Sequence, residues 1–252
     1  MHGAIILGVE PPNHIGPPHS RGTRKPPLFR LDLVVGSGSS AHRSPMFLII
    51  RSTLIGAPMI ASCDQLDWLL LTKRPQNIRK MLPTDWGNGY ANVWLGTTAE
   101  DAEAYRQRVK HLLVLPAVAK FVSYEPALGA LGPINIDGRK PDWIIIGGES
   151  GVRADLTRPT RPEWVRDVIT QCQEENVAPF LKQWGTYTNN PLVAEQGCSV
   201  EMAMRKDPPQ NGKGGGKLDG KIWRAFPSPQ IGASLKGRQS NNADQRRALL
   251  VG

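Results

Sequence analysis

The chain has 252 residues, of which 40% are hydrophobic, and a formal net charge of +9. This length is enough to bury the core of one α/β domain or of two smaller domains. Its cysteines, Cys63, Cys172 and Cys198, lie 109 and 26 residues apart, which excludes the spacings of zinc, redox and iron–sulfur motifs.

The apolar runs near the N-terminus match neither a signal peptide nor a membrane span. The run from Ala4 to Val9 is too short for a signal peptide. Arg51 and Pro58 interrupt the longer run over residues 46–60. Together with the odd number of cysteines, these features predict a cytoplasmic protein without membrane contact.

The segment over residues 1–65 is rich in residues that interrupt regular structure. Its first 61 residues contain eight prolines and seven glycines. We predict a weakly structured N-terminal extension, or the altered start of a truncated gene.

Five short apolar segments follow, and each ends in polar residues. None alternates strictly between apolar and polar positions, which is typical of strands covered on both faces of a parallel sheet. The segments are WLLLTKR at 68–74, NVWLGTTAE at 92–100, KFVSYEP at 120–126, WIIIGGES at 143–150 and PFLKQWG at 179–185.

An amphipathic helix is predicted after the second of these strands. Tyr105, Val109, Leu112 and Leu113 lie on one helical stripe. Thr98 is the predicted N-cap of this helix.

A second amphipathic helix is predicted after the fourth strand. Thr160 and Glu163 match a capping box, and Pro162 suits a first helical turn. Cys172 falls on the buried face, as a small core residue and not as a nucleophile. Strands and helices that alternate in this way predict βα units around a parallel sheet.

Polar residues follow every one of the five strands. The carboxyl ends of parallel strands meet at one edge of a sheet, where α/β proteins bind ligands. We therefore expect a small-molecule ligand at this edge. The alternative is a network of ion pairs that only closes the sheet end, such as Lys73 with Glu125 or Lys182 with Glu149. The residues that follow the five strands and are expected at this edge are Lys73, Arg74, Thr97, Thr98, Glu100, Ser123, Glu125, Gly147, Gly148, Glu149, Ser150, Lys182 and Gln183.

The candidate catalytic residues at this edge are Lys73, Glu125 and Lys182. A histidine-based triad is not expected, because His111 is the only histidine in this part of the chain and lies on a helix. Either lysine could form a Schiff base, since a desolvated amine is nucleophilic. Nothing in the spacing selects one of the two.

Five motifs and a late segment together resemble one protein family. The motifs are LTKRP at 71–75, VWLGTT at 93–98, FVSYEPALG at 121–129, WIIIGGESG at 143–151 and FLKQWG at 180–185, and KLDGKIWRAFP at 217–227 follows. The chain resembles the bacteriophage Gp-thirty-seven/Gp-sixty-eight-like family, a phage domain of unknown function.

This resemblance implies a radical S-adenosylmethionine-like protein with a partial (βα) barrel of parallel strands. Gly147, Gly148, Glu149 and Ser150 would then contact S-adenosylmethionine. Members of the family open with a cysteine-rich segment that would hold an iron–sulfur cluster. Residues 1–65 of this chain contain only Cys63, so we predict no cluster and no cleavage of the cofactor, with weak binding of intact S-adenosylmethionine.

The net charge lies in the two flanks of the chain. Residues 62–185 carry fifteen basic and fifteen acidic residues, whereas residues 1–61 and 186–252 are both basic. We predict an α/β partial barrel domain over 66–226, with a flexible loop at 207–217, and a disordered basic tail over 227–252.

Three functions are compatible with the sequence. The first is a phage-derived, truncated relative of radical S-adenosylmethionine enzymes. The second is a metal-free lyase or aldolase that uses a rim lysine. The third is a non-catalytic protein that binds nucleic acid through its basic flanks.

Overall fold

The computed structural model describes the backbone of residues 45–48, residue 60, and residues 67–151, 156–210 and 213–227. Its main sheet has six strands, whose order in the sheet is their order in the chain, and all neighbours are parallel. The strands are β1 (Pro45–Leu48), β2 (Asp67–Thr72), β3 (Val93–Thr98), β4 (Ala119–Tyr124), β5 (Trp143–Gly147) and β6 (Ala178–Gln183).

Helices follow β2, β3 and β5, whereas the segment between β4 and β5 contains no helix. A 3-10 helix, Pro75–Lys80, follows β2, α1 (Ala102–Leu113) follows β3, and α2 (Pro162–Glu174) follows β5. None of the helices in the described ranges is long and apolar enough to span a bilayer. After β6 come a 3-10 helix (Tyr187–Asn189), α3 (Pro191–Ala194), α4 (Val200–Lys206), and an antiparallel hairpin of β7 (Lys217–Leu218) and β8 (Lys221–Ile222).

The five strands predicted from apolar runs are confirmed, and so is the parallel α/β class. The predicted stripe of α1 is also confirmed, because Tyr105, Val109, Leu112 and Leu113 are all buried. Burial of the strands on both faces is the physical reason why their sequences do not alternate.

The two predicted helix caps are wrong. The N-cap of α1 is Asp101, whose side chain accepts from the backbone N–H of Ala104 at 2.8 Å. Thr98 is still part of β3 and cannot start the helix. Before α2, the Thr160 hydroxyl donates to the carbonyl of Ala127 at 2.9 Å, and the N-cap position belongs to Arg161.

The sheet has two different faces. On the face that we call the helical face, Ile144 and Ile146 of β5 pack in one core with the stripes of α1 and α2. The opposite face, here called the aromatic face, carries a separate apolar cluster. Successive strand residues point to opposite faces, which is why β5 contributes to both clusters. The aromatic face consists of Leu69, Leu71, Trp94, Ala119, Phe121, Trp143 and Ile145, with Phe180 packed against them.

The prediction of a flexible loop at 207–217 is wrong for residues 207–210 and 213–217, which the structure describes. Asp207 is 1% exposed, and its carboxylate accepts from the backbone N–H of Gly216 at 2.9 Å and from the Asn190 amide at 2.8 Å. The backbone N–H of Trp184 donates to the carbonyl of Gly215 at 3.1 Å. These glycines are close-packed, because a side chain at Gly214 would overlap the backbone of Thr186 and one at Gly215 would overlap Asp207.

The end of the described chain runs beside β6. The N–H of Leu181 donates to the carbonyl of Trp223 at 2.7 Å, and Ala225 donates to Pro179 at 3.0 Å. Phe226 then packs on Trp143, with ring centroids 5.3 Å apart. Most of the flanks 1–65 and 227–252 lies outside the described residues, so the predicted domain limits stay predictions.

Candidate functional site

Among the described residues, the charged side chains at the carboxyl ends of the strands form three ion-paired groups. Because all six strands are parallel, these ends lie along one edge of the sheet. The pairs are Lys182 with Glu125, Lys73 with Glu100, and Arg158 with Glu149.

The Glu125–Lys182 pair is the most buried of the three. Lys182 Nζ lies 3.2 Å from Glu125 Oε1, and the two side chains are 14% and 7% exposed. The hydroxyl of Ser123 donates to Glu125 Oε2 at 3.2 Å. Although Lys182 is near, Glu125 Oε1 accepts no hydrogen bond from the residues that the structure describes. A buried acceptor without a donor is uncommon in proteins and is costly.

The pair spans β5, which lies between β4 and β6. Two strand spacings separate residues on β4 and β6 by roughly 9–10 Å, so long side chains must cross the strand between them. The crossing point is Gly147, where a Cβ atom would lie 2.2 Å from Glu125 Oε1. The absence of a side chain at Gly147 is therefore what lets Glu125 reach Lys182.

A bulge in β6 places Lys182. Ile146 pairs with Leu181, and the next residue, Gly147, pairs with Gln183. Lys182 is thus an extra residue in β6, and a bulge of this kind redirects a side chain, often beside an active site.

Burial raises the pKa of the Glu125 carboxyl above its usual value. The neighbouring charge of Lys182 and the hydrogen bond from Ser123 oppose this effect without cancelling it. Glu125 therefore holds a proton more tightly than an exposed glutamate does.

The second group lies at the ends of β2 and β3. Lys73 Nζ donates to Glu100 Oε1 at 2.7 Å, and Arg108 of α1 donates to Glu100 Oε2 at 2.8 Å. Burial favours the neutral form of Glu100, but the two cations outweigh it and lower its pKa. Lys73 is 62% exposed, so this lysine stays hydrated.

The third pair follows β5. The guanidinium Nε of Arg158 lies 3.1 Å from both oxygens of Glu149, and the Arg158 backbone N–H donates to Glu149 Oε2 at 2.6 Å. The hydrogen bonds from Arg158 lower the pKa of Glu149. Arg158 is 62% exposed, so the pair is accessible to solvent.

The glycine pair of the GGES motif has a packing role. A Cβ at Gly148 would lie 2.1 Å from the carbonyl oxygen of Trp184. The N–H of Gly148 donates to the carbonyl of Gln183 at 3.0 Å, and its carbonyl accepts from the Gln183 amide at 3.1 Å. Ser150, the last residue of the motif, is exposed.

The structure thus brings Glu125 together with Lys182 but pairs Lys73 and Glu149 elsewhere. The sequence suggested two other pairings, Lys73 with Glu125 and Lys182 with Glu149, and both are wrong. Lys73 pairs with Glu100, and Glu149 pairs with Arg158. Sequence reasoning missed Arg108 and Arg158. For Arg108 there was a signal, since it precedes Val109 on the buried stripe of α1.

The described residues contain no group of three or more histidine, cysteine or acidic side chains placed to hold a metal ion. Cys172 is buried in the helical-face core, as predicted, and burial raises its thiol pKa to about 12. Cys198 lies after α3 and is half-buried, whereas Cys63 lies outside the described residues. The two described cysteines therefore do not fit an iron–sulfur cluster.

The fold and the site define a parallel-sheet α/β protein with ion pairs at the carboxyl ends of its strands. A family model matches residues 52–227, so the chain belongs to the family described as "Protein of unknown function (DUF5131)". No curated protein and no solved structure matches the chain. The family description states no activity, and the phage origin and the radical-enzyme relationship stay predictions.

Proposed function

We propose that this protein binds a small molecule at the carboxyl ends of β4, β5 and β6, with the Glu125–Lys182 pair at the centre of the site. The observation that carries this proposal is the buried Glu125 Oε1, which accepts no hydrogen bond within the described residues. A ligand that donates an N–H or O–H to this oxygen adds the hydrogen bond that the ion pair with Lys182 does not supply.

The proposed ligand is S-adenosylmethionine, following the resemblance to phage proteins of the radical-enzyme type. Its ammonium group has the donors that Glu125 Oε1 needs, and its carboxylate complements Lys182. The partial barrel is part of the same proposal. In its support, the strands are arranged in chain order and both long helices pack on one face, as in (βα) barrels.

The Gly147–Ser150 turn is proposed to border the same ligand. Glu149 contacts the ligand only if it leaves Arg158, since its carboxylate is bound on both oxygens. The two described cysteines do not fit a cluster, and the proposal covers binding of the intact molecule and no radical step.

Isothermal titration of the full chain with S-adenosylmethionine tests this proposal. We expect Glu125→Gln to weaken binding roughly tenfold to a hundredfold, the range for loss of a hydrogen bond to a charged group. Glu149→Ala weakens binding less, because Arg158 already occupies its carboxylate. Glu174→Ala is the matched control, since Glu174 is an exposed acid at the end of α2 that leads to the start of β6, away from the carboxyl ends of the strands. Equal affinity of wild type and Glu125→Gln, or no binding by wild type, would overturn the proposal.

A second candidate is a metal-free lyase or aldolase that uses a rim lysine. The sequence left Lys73 and Lys182 equal, but their surroundings differ. The side chain of Lys182 is 14% exposed and that of Lys73 is 62% exposed. Only a desolvated amine is activated by its environment, so burial favours Lys182.

Nucleic-acid binding through the basic flanks stays a prediction from charge alone. Removal of residues 186–252 is a poor test, because this segment includes the glycines packed on Trp184. A better variant replaces the four basic residues after 227 by serine in the full chain, and we expect it to lose salt-dependent binding to DNA if the flanks bind. These residues are Lys236, Arg238, Arg246 and Arg247.

A further inference from the structure

The buried pair lies above an apolar surface. Ile145 lies two residues before Gly147 on β5 and is 4% exposed. Phe180 lies two residues before Lys182 on β6. Both belong to the aromatic face or pack against it. An amine at the end of such a surface has little access to water, which favours reaction with an electrophile over hydration.

We infer that Lys182 forms an imine with small aldehydes or ketones, and that Glu125 is the acid that removes the carbonyl oxygen as water. This inference rests on the proposed ligand site at the carboxyl ends of β4 to β6. It deepens the second candidate function by assigning the nucleophile, the acid and the class of substrate.

The step needs no further reactant. The Lys182 ammonium first passes a proton to the Glu125 carboxylate, 3.2 Å away, which leaves an uncharged amine and a neutral acid. The amine lone pair attacks the carbonyl carbon, and a proton of the nitrogen moves to the carbonyl oxygen to give a carbinolamine. Glu125 then donates its proton to the hydroxyl group, water leaves, and the remaining proton on the nitrogen returns to the Glu125 carboxylate to leave the neutral imine. One amine and one carbonyl compound give one imine and one water.

Glu125 is suited to the acid role by its position and by its burial. Its Oε1 is 3.2 Å from Lys182 Nζ, so it reaches an oxygen bound to the carbon that Lys182 has attacked. Burial raises the pKa of this carboxyl, so the proton is available closer to neutral pH than in an exposed glutamate. Ser123 fixes the other oxygen of the carboxyl by a hydrogen bond of 3.2 Å.

The substrate class follows from the surface below the pair. Phe180, which lies two residues before Lys182 on β6 and is only partly buried, offers no hydrogen-bond partner in its side chain, so the body of the substrate next to the carbonyl is apolar. We therefore assign small carbonyl compounds with an alkyl body, and not phosphorylated sugars, to this site.

The test uses 2,4-pentanedione, a small β-diketone that an uncharged amine converts into a stable enaminone with loss of water. The full chain is incubated with the probe near neutral pH, and the enaminone is followed by its near-ultraviolet absorbance. Peptide mapping by mass spectrometry then locates it. We expect one adduct per chain, on Lys182, absent from Lys182→Met and retained by the control Lys73→Met. Glu125→Gln should slow its formation at least tenfold.

Adducts spread over exposed lysines such as Lys73, with Lys182 unmodified, would overturn the inference. The map of the wild-type protein decides this even if Lys182→Met does not fold. Titration with S-adenosylmethionine separates the two proposals. If the chain binds S-adenosylmethionine but Lys182 stays unmodified by the diketone, only the imine inference is overturned. If Lys182 forms the adduct but S-adenosylmethionine does not bind, the imine inference is supported and S-adenosylmethionine is overturned as the ligand.

Discussion

The two faces of the sheet differ at the carboxyl ends of the strands. On the helical face, apolar packing continues to these ends, where Tyr124, Ile146 and Leu181 are fully buried. On the aromatic face, the same strands end in Ser123, Glu125 and Lys182, which are polar and nearly buried. Apolar residues can serve stability alone on both faces, but a buried acid and base are expensive to keep, so the position of the Glu125–Lys182 pair on the aromatic face supports the ligand site proposed there.

The largest effect should come from the apolar part of the aromatic face. Ile145→Asp places a charge without a partner in the cluster beside Phe121 and Trp143, where Ile145 is 4% exposed. We expect loss of more than about 4 kcal/mol of stability and no cooperative unfolding transition. Thermal denaturation followed by circular dichroism measures this. A soluble variant with a cooperative transition would contradict the burial of this face.

The next effect concerns the buried pair itself. Glu125→Leu or Lys182→Met alone leaves one charged partner buried, which costs about 3–5 kcal/mol. The double variant removes both charges and should recover most of that stability, because a buried ion pair gives little net stabilisation. Urea denaturation of the four proteins in a double-mutant cycle measures the coupling.

Two single changes at the helical face serve as a reference for this cycle. Ile146→Val and Leu181→Val keep the charge unchanged, and because these residues are neighbours across β5 and β6, their coupling measures what apolar packing alone contributes. The coupling free energy of Glu125 with Lys182 should exceed that of Ile146 with Leu181. If it does not, the two faces do not differ in the electrostatic coupling of their residues.

The glycine pair should respond unequally to alanine. Gly147→Ala meets the Glu125 side chain, whereas Gly148→Ala meets the backbone carbonyl of Trp184. Each change should cost roughly 1–3 kcal/mol, the range for overpacking. Adding Glu125→Ala should relieve Gly147→Ala and leave Gly148→Ala unrelieved, because only the first clash involves a side chain that can be removed. Equal behaviour of the two glycines in chemical denaturation would show that Glu125 does not cross Gly147.

The smallest effect is a difference in pH dependence between Glu125 and Glu149. The pKa of Glu125 is raised in the folded state, so its contribution to stability is present below the unfolded pKa and is lost as pH rises through the folded pKa. The pKa of Glu149 is lowered, so its contribution is present above the unfolded pKa and is lost as pH falls through the folded pKa.

Denaturation of wild type, Glu125→Gln and Glu149→Gln across the acid-to-neutral range checks this. As pH rises, the stability of wild type relative to Glu125→Gln should fall, and its stability relative to Glu149→Gln should rise. The Glu149 effect should stay under about 1 kcal/mol, because its partner Arg158 is mostly exposed. Slopes of the same sign would contradict the assigned environments.

The local elements could be predicted from the sequence because they depend on short-range patterns. The run from Trp143 to Ile146 indicates a doubly covered strand, and the spacing of Tyr105, Val109 and Leu112 indicates the buried stripe of α1. The caps were less predictable, since Thr98 and Asp101 are both good capping residues. The choice between them depended on where pairing of β3 with β4 ends.

By itself, the sequence determined that polar residues follow every strand and that a parallel sheet gathers them at one edge. Only the tertiary structure decided which of them pair. Glu125 reaches Lys182 because β5 lies between their strands, because Gly147 leaves space there, and because the bulge makes Lys182 an extra residue in β6. Burial of one carboxylate and exposure of another are set by contacts between residues far apart in the chain, and local periodicity carries no information about such contacts.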